Sequence, residues 1–400
     1  MVKKFLSYFS LKRASLNTKT SINSFNTSEE MVRIFSDTQK SFSTTNNHTN
    51  EIYNLILKLY KNPFLAIYYL CNKIKNFAAL LYKSQAIGSY KIDKLILNEL
   101  KSIKFDIIHC HDLNTTYIGV RIKKNNPSIK FIFDSHEIYF ALHTLNWFKK
   151  IKAKMLFKKV LKYTDGFITV NDSIAQYFQQ LFNLKISPVV IKNAAQQDIQ
   201  KVPYDNRLHK VLNLSFKTKI LLYHGGYSKY RGLPQLVAAG ELLPKGWVLV
   251  MIGWGKLEND LKDIAIKNGT ISKKVFFLPK VPQSELLEWT KGASIGIIPY
   301  ENIGLNHYFC SPNKIWEFCN ADVPFLAPPY PEFKKIINKY NVGWFIDEEI
   351  TSISIINMVK KLDDHPETIR KYKESCNKFV KEDHWGVYAE KLLRLYEKII

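Results

Sequence analysis

Five short stretches of the chain hold residue types able to bind or transform a ligand. They are SPNKIWEF at 311–318, GGYSKYRGL at 225–233, GWG at 253–255, IIHCHD at 107–112 and DSHE at 134–137. In the first, Ser311 reads as a helix N-cap and Pro312 as the first helical residue. At about 100° per residue, Ile315, Phe318 and Cys319 then share one face, with Trp316 at its margin. Asn313, Glu317 and Asn320 share the other, which meets either water or a cleft. Glu317 offers two acceptor oxygens suited to a vicinal diol such as a ribose, or is a solvated glutamate beside Lys314. The free amides of the helix start at Ser311, Asn313 and Lys314 would seat an anion. In the second stretch, Gly225 and Gly226 let backbone approach a ligand closely, and Lys229 and Arg231 stand where phosphate oxygens could be held. The alternative is a glycine turn with a solvated basic loop. Gly253 and Gly255 form a tight strand-to-helix turn that serves either a ligand or packing.

The histidines add acid–base chemistry. His111-Asp112 and His136-Glu137 end strands, so both pairs could face a cleft, where a histidine could orient a ligand or shuttle a proton. His109 is read as pointing opposite to His111 and as merely satisfied on its strand. No DxD pair sits in a strand-end loop, and the five cysteines (71, 110, 310, 319 and 376) show no metal-ligand spacing, so no metal site is expected. The same cysteine usage favours a reducing, cytoplasmic setting.

These residues need elements to position them. Residues 10 to about 50 are rich in Ser, Thr, Asn and Lys, so 1–50 reads as a disordered or weakly ordered arm. Residues 51–103 look helical. From 104 on, short apolar runs alternate with helical stretches: FDIIHCH, KFIFDSHE, GFITVND and PVVIKNA, then, after a polar link near 193–218, KILLYHGG, WVLVMIGWG, KVFFLP, SIGIIPY, PFLAP and GWFID. Such alternation means parallel sheet flanked by helices, here in two doubly wound domains whose ligands bind beyond the strands' carboxyl ends. A chain of 400 residues supports two domains, since one core rarely grows past roughly 250–300 residues. The expected boundaries are 51–200 for a first domain with an atypical start, 201–382 for a second domain and 383–400 for a final helix. No apolar run reaches the ~18–20 residues that span a bilayer, and the N-terminus does not read as a signal peptide.

The net charge of +23 points to nucleic acid, an anionic membrane surface or phosphorylated substrates, unless it reflects a coding bias alone. No nucleic-acid reader motif accompanies it. WFKKIKAKMLFKKVLK at 147–162 is a basic amphipathic helix, with Phe148, Ile151, Met155 and Val160 read on one side. It would rest on anionic lipid or cover the sheet with its lysines in water.

Taken in order and spacing, YHGGYSKYRGL, VLVMIGWGKLENDL, VFFLPKVPQSEL, SIGIIPY and SPNKIWEFCNADVPFLAP resemble the donor-binding domain of family 4 glycosyltransferases. IIHCHDLNT and FIFDSHEIYF resemble bacterial members, so the likeness runs over roughly 104–346. It implies a GT-B fold, two Rossmann-like domains facing each other across a cleft, with 51–200 as the acceptor-side domain, 201–382 as the nucleotide-sugar donor-binding domain and the helix 383–400 crossing back to the first. It also implies a retaining, metal-independent, hexosyltransferase-like enzyme without a cofactor. Such an enzyme moves sugar from a nucleotide-diphosphate donor to a glycan or polyprenyl-linked acceptor in surface polysaccharide or glycolipid synthesis. Glu317 inherits the ribose contact. Arg231 matches the family's diphosphate-binding lysine; the usual preceding arginine falls on Gly226, so Lys229 is read as its substitute. With His136 as helper, these form the expected catalytic set. Gly225, Gly226, Gly253, Gly255, Ser311, Asn313, Lys314 and Glu317 form the donor-binding set, and His111, Asp112 and Glu137 the acceptor side. Two departures stand out. Phe309 occupies the place of a second glutamate that touches the transferred sugar, and Gly88 is the only glycine before residue 100, where members open with a glycine-rich loop. Both favour a degenerate, non-catalytic sugar-nucleotide binder as the alternative; a GT-B epimerase would need carboxylates for which Glu137 alone is thin support.

Overall fold

A computed structural model describes residues 90–196 and 203–400. The expected arm, Gly88 and the helical stretches before Tyr90 lie outside the described residues; from there on, the expected helix is present as Tyr90–Leu100. The ten apolar runs become ten strands, all in parallel sheets: β1 (Ile107–His111), β2 (Lys130–Ser135), β3 (Gly166–Thr169), β4 (Val189–Val190), β5 (Lys219–Gly226), β6 (Trp247–Trp254), β7 (Val275–Leu278), β8 (Ile295–Ile297), β9 (Phe325–Ala327) and β10 (Gly343–Phe345). They read as continuous rather than alternating apolar sequence because helices cover both faces of such sheets.

The chain divides into two compact units, described here in turn. Among described residues the first holds 90–134, 163–165 and Ile400. In it β1 pairs with β2, with His111 opposite Asp134 and His109 opposite Ile132. The helix Asp112–Asn125 follows β1 directly. Gly119 on that helix lies against the Phe131 ring, where any β-carbon would collide.

The second unit holds 135–162 and 166–399. Here β3 pairs with β4, and six strands form a sheet of order β10-β9-β8-β5-β6-β7. Strand order reverses at β5, the sheet's switch point, and its first crossover leads from β5 to β6. The core beside it runs from Leu221 and Tyr223 through Leu249 and Met251 to Ile355 and Val359, all essentially without solvent contact. Burying side chains of this size stabilises by roughly 1.5–3 kcal/mol each. The sheet is therefore a rigid platform, and its carboxyl-end loops carry the polar residues.

The helix Trp147–Leu161 corrects one reading. Val160 is buried with Ala153 and Phe157, whereas Trp147, Phe148, Ile151 and Met155 form a separate, exposed stripe. At 3.6 residues per turn, positions 148, 151 and 155 cluster, and 160 falls on the far side.

Candidate active site

Three strand-end loops of the second unit converge. The first leaves β5 through Gly225, whose φ is +130°; a β-carbon there would stand 2.8 Å from the Lys314 Nζ. Glycine is thus what admits the lysine. Two residues with left-handed backbone, Tyr230 and Gly232, then turn the chain around Arg231. Glu301, in the loop after β8, fixes that turn: its Oε1 accepts from the Gly232 amide at 3.2 Å, and its own amide donates to the Tyr230 carbonyl. The Arg231 guanidinium rests 4.2 Å from the Tyr300 ring centre. It is therefore half-buried and held, not a loose surface cation.

The second loop follows β6. Gly253 packs against Gly225 and the Tyr227 ring, and Gly255 against the Tyr227 backbone, with no room for a β-carbon at either. These two glycines serve packing, and neither lines a hollow. Trp254 between them is 54% exposed and carries the Lys280 ammonium 5.6 Å from its ring centre.

The third loop leads to the helix Lys314–Asn320. Lys314 Nζ donates to the Tyr300 hydroxyl at 3.2 Å and faces the Tyr223 ring at 5.3 Å. Burial and, next, the neighbouring Arg231 lower its pKa to about 8, while Glu317 pulls the other way. Glu317 Oε1 accepts from Gln283 Nε2 at 3.2 Å, and its Oε2 lies 3.7 Å from His224 Nδ1. Burial first, and Lys314 second, hold His224 well below the usual imidazole range, so it is neutral. Gly225, Arg231, Trp254, Lys280, Lys314 and Glu317 all line one hollow of about 510 Å³.

A smaller hollow of about 300 Å³ shares Arg231, Tyr300 and Pro312 with it and adds His136, Glu137, Asn171, Asn193, His307 and Ser311. Two asparagines shape its rim. Asn306 grips Ile138, accepting from its amide at 2.7 Å and donating to its carbonyl at 3.1 Å. Asn171 caps the helix Asp172–Phe182 with its Oδ1 and donates to the Phe309 carbonyl and the Ser311 hydroxyl. Burial lowers the pKa of His307, helped by Arg231 and His143 and opposed by its hydrogen bond to the Glu301 carbonyl.

Several expectations need correction. The helix starts at Lys314 with Asn313 at its N-cap, not at Ser311 and Pro312, because the Ser311 hydroxyl accepts from Asn171 at 3.0 Å instead of capping. At seven residues the helix is short. Asn320 does not face the hollow; it is buried and donates to the Gln196 carbonyl. Lys229 is exposed and lines neither hollow, so the second cation beside Arg231 is Lys314. Gly226 also lines neither; it accepts from the Tyr223 hydroxyl. Tyr223, His224, Lys280, Gln283 and Tyr300 went unnoticed in the sequence. Only a tally of polar residues at the ends of β5, β7 and β8 finds them.

His111 and Asp112 belong to the first unit. His109 and His111 stack there with ring centres 4.5 Å apart and planes 10° apart. They share a face, contrary to the expected opposition, because residues two apart on a strand point the same way. Asp112 opens its helix at φ +59°.

Two parallel sheets with helices around them, and a strand-end hollow at a switch point, define a GT-B protein. Solved structures agree on that fold. Sucrose-phosphate synthase from Thermosynechococcus elongatus is 14% identical with a TM-score of 0.64, each chain covered to 77%. Anabaena HepE in complex with UDP and glucose is 10% identical at 0.62, covering 77% of this chain and 82% of that one. The family model for Glycosyltransferase Family 4 matches residues 75–195, and that for Glycosyl transferases group 1 matches 205–379. The chain belongs to this family of glycosyltransferases. It is also 25% identical, over 229 residues, to an uncharacterized glycosyltransferase of Methanocaldococcus jannaschii; the match takes in 50% of this chain and about half the relative's length, 54%.

Proposed function

We propose that the protein is a retaining glycosyltransferase that moves a sugar from a nucleoside-diphosphate donor to a glycan or lipid-linked hydroxyl. The observation that carries this reading is the shared lining of the larger hollow by Arg231, Lys314 and Glu317. Two cations and one carboxylate in one hollow suit a diphosphate with a ribose attached. The nucleoside lies in the larger hollow, its ribose hydroxyls on Glu317 and its base toward Trp254. The diphosphate lies at Arg231 and Lys314, and the sugar extends into the smaller hollow.

The chemistry is electrostatic. As the glycosidic bond breaks, negative charge grows on the leaving diphosphate, where Arg231 and Lys314 stabilise it. The acceptor hydroxyl attacks from the same face of the sugar and its proton passes to the departing phosphate oxygen. His136, lining the smaller hollow, orients the sugar or assists that proton. No nucleophile of the protein is required. HepE's structure with UDP and glucose supports the ligand class, through a relative alone.

The acceptor is proposed to be lipid-linked because of the stripe Trp147, Phe148, Ile151 and Met155, which stands in solvent flanked by Lys152, Lys154, Lys158 and Lys159. An anionic bilayer matches both its chemistries. No helix among the described residues is long and apolar enough to cross a membrane, so contact would be peripheral.

The test is calorimetry with a panel of nucleoside diphosphates, followed by transfer assays with sugar donors. Binding of one nucleotide that is weakened at least tenfold in Glu317→Ala and in Arg231→Ala, and an anomeric configuration kept in the product, are expected. Undiminished binding in both variants removes the site. A second reading, binding without transfer, is favoured by Phe309 at the position of the family's second glutamate; tight binding with no turnover of any donor would select it.

A further inference from the structure

The smaller hollow holds a histidine whose hydrogen-bonding role is set by the backbone around it. His307 sits in the short helix Leu305–Tyr308 and lines that hollow. Its neighbour Asn306 anchors this turn by pairing with both the amide and the carbonyl of Ile138. The ring itself is anchored through Nδ1, which stands 2.8 Å from the Glu301 carbonyl oxygen. A carbonyl only accepts, so Nδ1 carries the hydrogen. In the neutral ring Nε2 then has a lone pair and no hydrogen, and it is the polar atom left for the hollow. We propose, on the donor placement given above, that His307 Nε2 accepts a hydrogen bond from a hydroxyl of the transferred sugar and so selects the donor.

Charge keeps the ring an acceptor. Burial, first, holds its pKa below the usual 6.5, and Arg231 and His143 push the same way against the Glu301 hydrogen bond. The ring is therefore mostly uncharged at about pH 7. A protonated ring would donate at both nitrogens and could not take a hydroxyl's hydrogen.

Position supplies the partner. The Tyr300 ring carries the Arg231 guanidinium 4.2 Å from its centre and meets the His307 ring at 6.3 Å between centres. A group that reaches Nε2 thus lies beside the cation assigned to the diphosphate, and the part of a donor bonded to its diphosphate is the sugar. The rim asparagines do not compete for it. Asn171 is engaged by the Ile174 amide, the Phe309 carbonyl and the Ser311 hydroxyl, and Asn306 by Ile138. Arg231 can only donate. A hydroxyl satisfies Nε2, whereas a deoxy carbon leaves it unpaired and a carboxylate sets acceptor against acceptor. The favoured donor is accordingly a neutral, hydroxylated sugar.

The test compares free nucleotide with sugar donor, using calorimetry on the full chain. The probes are UDP and GDP, then UDP-glucose, UDP-galactose and GDP-mannose. Analogues of the tightest donor follow, each with one hydroxyl replaced by fluorine, which cannot donate. His307→Phe should bind free nucleotide as the wild type does. It should bind the sugar donor about 3- to 10-fold more weakly, the worth of one neutral hydrogen bond. His307→Gln, whose amide oxygen can accept near the place of Nε2, should recover part of that loss. One fluorine analogue should bind the wild type more weakly yet cost His307→Phe nothing further, the signature of a direct pair. A wild type indifferent to every replacement overturns the assignment without recourse to any variant. So does a His307→Phe protein that keeps full donor affinity, or one that loses free nucleotide and donor equally, since the ring would then only support Arg231. These outcomes leave the donor site standing; a wild type that binds no nucleotide at all would remove that site and this assignment together.

Discussion

Lys314 is the residue through which pH reports on the larger hollow. Its folded pKa of about 8 lies below the usual value of 10.5, so between those values the unfolded chain holds more protons. By linkage the lysine's contribution to stability rises with pH through that window, and below about 8 its buried charge costs stability in full. A bound diphosphate favours the ammonium and raises its pKa. Nucleoside-diphosphate affinity should therefore be flat below pH 8 and fall as the pH climbs from 8 toward 10. Calorimetry at pH 8.5 in buffers of different ionisation enthalpy should show proton uptake on binding, and Lys314→Met should abolish it. Uptake that survives the substitution would place the titrating group elsewhere. Arg231→Ala and Glu317→Ala should each weaken binding about 10- to 100-fold, the worth of one or two charge-assisted hydrogen bonds. Arg231→Ala should also move the pH break upward, since Arg231 helps depress Lys314. Of this site, Glu317 and Arg231 were legible in the sequence because each follows a strand and a turn signal. Ser311 misled because its partner, Asn171, is 140 residues away and no local pattern encodes it.

Elements were read better than the contacts between them. Every expected strand formed, since an apolar run of four to eight residues between turns can bury both faces only in a covered parallel sheet. Short strands and a short helix blurred the ends instead. β8 stops at Ile297, and the turn at Cys310–Asn313 delays the helix to Lys314. The helix Trp147–Leu161 shows what periodicity alone leaves open, because it has two apolar faces and only one is covered. Trp147, Phe148 and Met155 are 74%, 68% and 69% exposed, so replacing them leaves the packed side of Ala153, Phe157 and Val160 untouched. Sedimentation with phosphatidylglycerol vesicles should pull the wild type down, and pure phosphatidylcholine should not. Each lysine near an anionic surface adds about 1 kcal/mol, so Lys152→Glu with Lys159→Glu should reduce binding at least tenfold. Phe148→Ser with Met155→Ser should reduce it independently of salt. Binding that survives both pairs would leave this helix as a plain cover for the sheet.

At the scale of the whole molecule the charge stands out, with 58 Lys and Arg against 35 Asp and Glu. Two readings predict different kinetics. If the surplus is compositional and evenly spread, it screens away within a Debye length, about 10 Å at 0.1 M salt, and only the cations inside the hollow touch a ligand. If it is a field aimed at an anionic substrate, it raises encounter rates and collapses as salt is added. Arg231 and Lys314 are half-buried on tyrosine rings, so salt reaches them poorly and dissociation should respond little. Stopped-flow measurement of a fluorescent nucleoside diphosphate therefore separates the two. The field reading expects an association rate that drops roughly tenfold between low and high salt, with a nearly constant off-rate. Rates that both ignore salt would assign the surplus to composition, and the hollow's own two cations would then account for all of the diphosphate attraction.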